Sequence, residues 1–302
     1  MSNENPSDQQ SLPELDKLWN HFNPGETEKK FRELLPAAET SGNPDYHIEL
    51  LTQIARTEGM QSRHDDAHVT LDRAEALLTP DTGRPRVRYL LERGRTFNSS
   101  GKKDLAEPLF CEAWELAKSI RVDGLAVDAA HMIAIVVLDR PEESMVWNLR
   151  ALEYAEKSDQ AGARNWLGAL YNNIGWNYFD KEQYPEALDL LEKALKWREE
   201  NKTSQQAIFI GLWSIARVLR ALGRVEAALA IQEGLASDYE KSELDSDGFV
   251  VEELAECKME LGQPGHEELF AQAHALLKDT WVAEHEPDHL ARIQKLGKVD
   301  QN

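Results

Sequence analysis

From about Leu12 to Leu296 apolar residues recur three and four positions apart, and only short clusters of Gly, Pro, Asn and Asp interrupt them. That spacing places apolar side chains on one face of a helix, and each interruption ends one helix and starts the next. Strand signals are nearly absent, so the chain reads as helix and turn from end to end. Small residues inside the helical stretches set a register: Ala55, Gly94, Ala134, Gly175, Ala216 and Ala255 follow at intervals of 39, 40, 41, 41 and 39 residues. Twelve residues after four of them comes a second small residue (Ala67, Ala106, Ala187, Ala228), while Ser144 follows Ala134 by ten, which predicts a tighter turn. Each period therefore holds two helices.

Seven residues further on stand Ala74, Ala113, Ala151, Ala194 and Leu235, and three of these repeats place a large apolar residue between the pair, Leu71, Phe110 and Leu191. Asn148 and Gln232 are the exceptions. Small residues let two antiparallel helices approach closely, and the large one fills the gap toward the next pair. Gly94 and Gly175 are accordingly assigned to helix contacts and not to turns. One hairpin cannot bury its own apolar face, so hairpins must stack.

The segment from Leu12 to Thr40 predicts a first hairpin, with Asn23-Pro24-Gly25 in its turn and Phe31, Leu34, Leu35 and Ala38 on one face of its second helix. The stretch from Asp279 to Asn302 predicts a capping helix. Residues 1–11, MSNENPSDQQS, are polar and predict a disordered tail, leaving 12–302 as one repeat domain.

The string ALYNNIGWNYFDKEQYPEALDLLEKAL resembles the tetratricopeptide repeat family at Tyr171, Ile174, Gly175, Tyr178, Ala187, Leu191 and Ala194. The repeat around Gly94 and Ala106 is similar, with Leu90, Phe97, Gly101, Phe110 and Ala113. The resemblance covers roughly residues 45 to 280, and the period of about 40 is similar to the long-repeat variety of kinesin light chains and bacterial regulatory repeat domains. It implies an all-α, right-handed superhelical solenoid of about seven antiparallel hairpins.

Charge narrows the choice of partner. Lys and Arg number 34 against 54 Asp and Glu, and a net charge of −20 repels a polyanionic backbone, so nucleic acid is not an expected partner. The longest apolar run, Met132 to Leu138, is too short to span a bilayer, and the first residues have neither the basic nor the apolar region of a secretory signal. With two cysteines, Cys111 and Cys257, in helical contexts and no CxxC spacing, a reducing cytoplasmic location is expected.

Candidate chemistry is sparse. His285 to His289, HEPDH, matches the HExxH zinc pattern, but Pro287 breaks the helix that would bring both histidines to one face, so a proline-started capping helix is expected there instead. His64 and His68 stand four apart, but the register places Gln61 to Asp65 in an inter-helix turn, so their side chains need not converge and read as solvated turn residues more than metal ligands. Nucleophile elbows and glycine-rich phosphate loops are missing from the sequence, and no catalytic, cofactor or metal site is assigned. Most of the eight tryptophans are read as core, with Trp176 and Trp213 set apart.

In the family that this chain resembles, the first helix of each pair lines a concave groove. Carried onto this register, the resemblance places Arg56, Arg88, Arg95, Asn98, His131, Asn172, Asn173, Trp176, Trp213, Arg217 and Arg220 on that surface. Five arginines on one face of an acidic protein suit carboxylates, because a guanidinium presents a planar fork of donors. They are also placed to pair with Glu49, Glu92 and Asp128 on neighbouring helices, and both readings stand at this level. Asn172 and Asn173 resemble the asparagines with which peptide-binding repeats hold a peptide backbone, and an amide both donates and accepts. The expected function is a non-catalytic scaffold that binds an extended peptide or protein tail, with acidic or carboxylate groups as candidate determinants. A ligand-sensing regulatory repeat protein acting in trans is the alternative.

Overall fold

The computed structural model describes residues 12–242 and 244–299, and among them every regular element is helical. The polar tail expected over residues 1–11 lies outside the described residues. The helices pack as two compact units, one ending at Trp166 and the other beginning at Leu167. No helix among the described residues is long and apolar enough to cross a membrane.

The first unit contains a 3-10 turn (Leu15–Leu18) followed by α1 (Pro24–Thr40), α2 (Pro44–Met60), α3 (His64–Glu75), α4 (Gly83–Ser99), α5 (Lys103–Ser119), α6 (Asp123–Val136), α7 (Pro141–Lys157) and the short α8 (Ala161–Arg164). Helices α2 and α3, α4 and α5, and α6 and α7 pack as hairpins, and the first helices α2, α4 and α6 also touch in sequence. The second unit contains α9 (Leu167–Phe179), α10 (Tyr184–Glu200), α11 (Gln205–Ala221), α12 (Val225–Lys241), α13 (Gly248–Glu260), α14 (His266–Leu277), α15 (Trp281–His285) and α16 (Pro287–Leu296). Its hairpins are α9 with α10, α11 with α12, and α13 with α14, and α16 closes the end by packing on α14.

Local chemistry sets the boundaries. Asn23 and Asn43 cap α1 and α2 by accepting from the backbone N–H of Glu26 (3.2 Å) and Tyr46 (3.1 Å), and each is followed by a proline at the first helical position. The turns within hairpins follow the forty-residue period. Seven residues after the small residue of each first helix, Ser62, Gly101, Glu182, Gly223 and Gly262 take positive φ, and the next residue's N–H bonds back to a carbonyl five residues earlier, as Arg63 does to Glu58 at 3.0 Å. The repeat at Ala134 carries Pro141 at that place, and proline cannot reach positive φ. Its turn is closed by Arg140 N–H donating to Val137 O (2.8 Å) and by the Ser144 hydroxyl donating to Ala134 O (2.8 Å), which accounts for the spacing of ten.

The core follows the predicted register. An ideal Cβ at Gly94 would lie 2.5 Å from Phe110 Cε1 and one at Gly175 would lie 2.9 Å from Leu191 Cγ, so both glycines sit where first and second helices cross. Leu71, Phe110 and Leu191 are buried. Asn148 and Gln232, which replace them in two repeats, are also buried, and Gln232 has neither amide atom hydrogen-bonded among the described residues.

Three expectations change. The first hairpin lacks its first helix: Leu15 and Trp19 are spent packing on Phe31, Leu50 and Ile54, and only a 3-10 turn forms before Asn23. His64, expected in the Gln61 to Asp65 turn, opens α3 instead, with His68 one turn later on the same helix; the His68 ring contacts the Arg93 guanidinium at 2.9 Å, and a neighbouring cation opposes metal binding. Of the tryptophans only Trp114 is buried, while Trp281 is exposed and the others are half-buried.

Candidate functional site

The predicted groove residues fall on first helices, and each unit groups its own set. In the first unit Arg56 of α2, Arg88, Arg95 and Asn98 of α4, and His131 of α6 occupy successive first helices. Arg95 bonds Glu92 at 2.5 Å and also Asp128 of α6, while Arg56 reaches Glu92 at 3.3 Å and lies over the Trp19 ring at 5.5 Å. Burial works against charge on Arg95 and Asp128. The pairing prevails nonetheless: Arg95 is raised further, and Arg95 and Arg56 hold the Asp128 carboxyl below its usual range. These groups are struts between first helices.

Arg88 is placed differently. Its Nη2 donates to Asp16 of the 3-10 turn at 3.1 Å, Glu49 stands 3.7 Å from its Nε, and that buried Nε has no hydrogen-bond acceptor among the described residues. The Glu49 carboxyl is pushed up by burial, an effect that Arg84 and Arg88 oppose and Asp16 reinforces. Between these helices opens a cleft of about 630 Å³, whose walls include Trp19, Gln53, Arg56, Arg84, Arg88 and Trp166. Asn98 lines a separate pocket of about 360 Å³ with Arg56, Arg95 and Met132. The His131 ring rests against Trp166 at 5.5 Å, and burial lowers its pKa.

In the second unit Asn172, Asn173 and Trp176 lie on α9, and Trp213, Arg217 and Arg220 on α11. Arg220 is taken up by Glu253 (2.5 Å) and Glu260 (2.6 Å) of α13, which raise its pKa against the effect of burial. Asn172 accepts from Arg198 Nη2 at 2.9 Å, whereas the neighbouring Asn173 is exposed. Trp176 and Trp213 stand 5.6 Å apart, Phe249 follows at 6.0 Å, and the indole N–H of Trp213 donates to Phe249 O at 3.0 Å. Across this row lies Arg217, its guanidinium 5.4 Å from the Trp213 ring, 5.8 Å from Phe179 and 5.9 Å from Trp176. Among the described residues Arg217 has no ion pair. It is the one predicted groove arginine without a carboxylate partner among the described residues, although Glu252 of α13 feels its field.

Sequence reasoning missed Arg84, Asp16 and Trp166. Arg84 had a signal, standing one helical turn before Arg88 on the same face. Asp16 had none, since its contact with Arg88 spans 72 residues.

The catalytic alternatives gain nothing from the geometry. The helix breaks at Glu286 between His285 and His289, His289 bonds Glu286 (3.0 Å) and Glu252 (2.7 Å), and no group of three or more His, Cys, Asp or Glu among the described residues could hold a metal ion.

Residues 167–200, the α9 and α10 hairpin, match the tetratricopeptide repeat family model. The apo form of RapI superposes with a TM-score of 0.71 over 95% of this chain and 81% of RapI, at 14% identity. A signal-transduction ATPase with a tetratricopeptide repeat sensor, from Pyrococcus horikoshii, gives 0.69 over 89% of this chain at 14% identity, and the chain spans 41% of that protein. The kinesin-light-chain-type repeats of Podosopora anserina give 0.52 over 67% of this chain and all of theirs, at 15% identity. The chain carries a tetratricopeptide repeat and has the tetratricopeptide fold. No curated protein matches it. In a tetratricopeptide frame the paired arginines tie neighbouring first helices of an acidic chain together, and of the predicted groove arginines Arg217 and Arg88 are left incompletely used among the described residues.

Proposed function

We propose that the protein is a non-catalytic interaction scaffold whose first-helix faces hold an extended peptide or protein tail that carries carboxylates. The observation that carries the reading is Arg217, half-buried against Trp176, Trp213 and Phe179 and without a carboxylate partner among the described residues. The aromatic faces hold the guanidinium in one plane and lower its hydration, which strengthens each bond it gives to an arriving carboxylate. Asn173, exposed on α9, offers a donor and an acceptor to a peptide unit independently of its side chain.

The test uses a partner isolated from the native cell and reduced to its binding segment. A hydrogen bond to a charged group is worth about 1.5–3 kcal/mol, so Arg217→Ala should weaken binding at least about tenfold, equivalent to about 1.4 kcal/mol, with helicity unchanged. Arg217→Lys should recover only part of that, because lysine keeps the charge and loses the fork. Asn173→Ala should weaken unrelated segments alike. Unchanged affinity in Arg217→Ala would place the binding face elsewhere.

A further inference from the structure

The chain places one of its own carboxylates in a cleft built of arginines. Arg56, Arg84 and Arg88 line the first-unit cleft against two acids, Asp16 and Asp128, and Asp128 is already committed to Arg95. Asp16 is therefore the one lining carboxylate that serves the cleft itself. Its side chain is 68% exposed, whereas that of Arg88 is 12% exposed with a buried Nε lacking an acceptor. An ion pair with one wet partner contributes little, so of the two acids beside Arg88 the hydrogen-bonded one, Asp16, is weakly bound, while the largely buried Glu49 stands 3.7 Å from its Nε. The remainder of the segment is firmly seated: Leu15 is in the core, Trp19 Nε1 donates to Gln53 at 2.9 Å, and the Tyr46 hydroxyl donates to Pro13 O at 2.9 Å. Asp16 can leave Arg88 by side-chain rotation alone, a fast motion for an exposed residue, without the segment detaching.

We infer that this cleft is a carboxylate-binding site in which Asp16 is a resident occupant, and that a peptide carboxylate, from an acidic side chain or a chain terminus, enters by taking the place of Asp16 on Arg88, with Arg84, which pairs with Glu49 at 3.3 Å, as a second cation lining the cleft. The site rests on the reading of first-helix faces as the binding surface, and adds to it a ligand class and a built-in competitor. Its volume of about 630 Å³ is that of a small-ligand pocket and exceeds what one carboxylate needs, so neighbouring residues of the peptide enter as well. Trp19 and Trp166 form apolar walls, and Gln53 keeps one amide face toward Trp19.

The probe is fluorescein-labelled hexaglutamate, as free acid and as C-terminal amide, with hexaglutamine as the uncharged control, read by anisotropy with the full chain at low salt. Asp16→Asn keeps the shape and removes the competing charge, and should tighten hexaglutamate binding at least about threefold. Arg88→Gln in the Asp16→Asn background should weaken it about tenfold. Arg84→Gln, at a side chain half exposed to water, should weaken it severalfold with no effect on folding, and decides the matter if Arg88→Gln unfolds. Equal affinity for acid and amide assigns the site to side chains, and preference for the free acid assigns it to a chain terminus; both support the site. No saturable binding to Asp16→Asn, or affinity indifferent to Asp16, Arg84 and Arg88, overturns it. If in that second case Arg217→Ala still weakens the probe, the groove reading stands without this site; if Arg217→Ala is also without effect, both fall.

Discussion

Gly94→Ala tests the register on which the whole assignment stands. A Cβ at this position would lie 2.5, 2.8 and 2.9 Å from three ring atoms of Phe110. Carbon atoms rest about 3.5–4.0 Å apart, so the ring or one helix must retreat by about an ångström. Phe110 is fully buried and cannot swing outward. Overpacking of a core costs about 1–3 kcal/mol, and a gap this short belongs at the upper end; alanine in place of glycine in a helix returns about 0.8–1.0 kcal/mol. The net expectation is a loss of about 2 kcal/mol. Gly175→Ala meets Leu191 at 2.9 and 3.1 Å, a flexible side chain that can yield, so the two effects should cancel to within about 0.5 kcal/mol. Gly234→Ala, on α12 with nothing within 4 Å, should stabilise by the propensity alone, about 0.8–1.0 kcal/mol. Urea midpoints read by far-UV circular dichroism at unchanged m rank the three, and Phe110→Leu should recover part of the Gly94→Ala loss through coupling. A midpoint for Gly94→Ala at or above wild type, with Gly234→Ala raised, would refute the placement of Gly94 at a helix crossing.

Three further outcomes follow from the packing. Gln232→Leu, which restores the apolar residue that the other repeats carry as Leu71, Phe110 and Leu191, should stabilise by about 1–3 kcal/mol in the same urea assay, because it removes two buried amide atoms without partners. Ser62→Gly and Glu182→Gly should each stabilise by up to about 1 kcal/mol, read as a higher urea midpoint, since the left-handed conformation is costly for a residue with a Cβ and that relief exceeds the added chain entropy of glycine. Asp128→Asn should destabilise by about 3 kcal/mol at pH 7, the low end for breaking a buried pair because Arg95 keeps Glu92. The Asp128 carboxyl is depressed in the folded state, so its stabilisation is complete above its ordinary value of 3.8 and lost as pH falls through the folded value. The gap between Asp128→Asn and wild type should narrow accordingly in melts taken at successively lower pH.

Much of the fold was legible because its signal is periodic. Ala55, Gly94 and Gly175 repeat at near-constant spacing, and close helix crossings tolerate few other residues. The positive-φ turns at Ser62 and Glu182 were invisible because loop closure imposes the conformation and neither side chain announces it. Leu12, Leu15, Leu18 and Trp19 have helical spacing, yet Leu15 and Trp19 serve as anchors on α1 and α2, and tertiary packing outweighs that local pattern. For the groove, the arginines were legible but their use was not. Arg56 with Glu92, Arg95 with Asp128, and Arg220 with Glu253 are each separated by 33 to 36 residues, slightly less than one repeat, so pairing across the period could be foreseen in kind. Which arginine would be left over could not: Glu253 stands at the place relative to Arg217 that Glu92 holds relative to Arg56, but Arg220 takes it, and Asp16 reaches Arg88 from 72 residues away.

The central claim is that the partner lies along the first-helix faces. A photo-crosslinking amino acid placed at Asn98 or Asn173, on first helices, or at Val69 or Leu105, exposed on second helices, and irradiated in the native cell, compares the two surfaces directly. The account predicts a crosslinked partner from each of Asn98 and Asn173, with capture at Asn173 weakened on adding Arg217→Ala, and no such partner captured from Val69 or Leu105. Capture of that partner from the second-helix positions, or capture at Asn173 that is indifferent to Arg217→Ala, would contradict it.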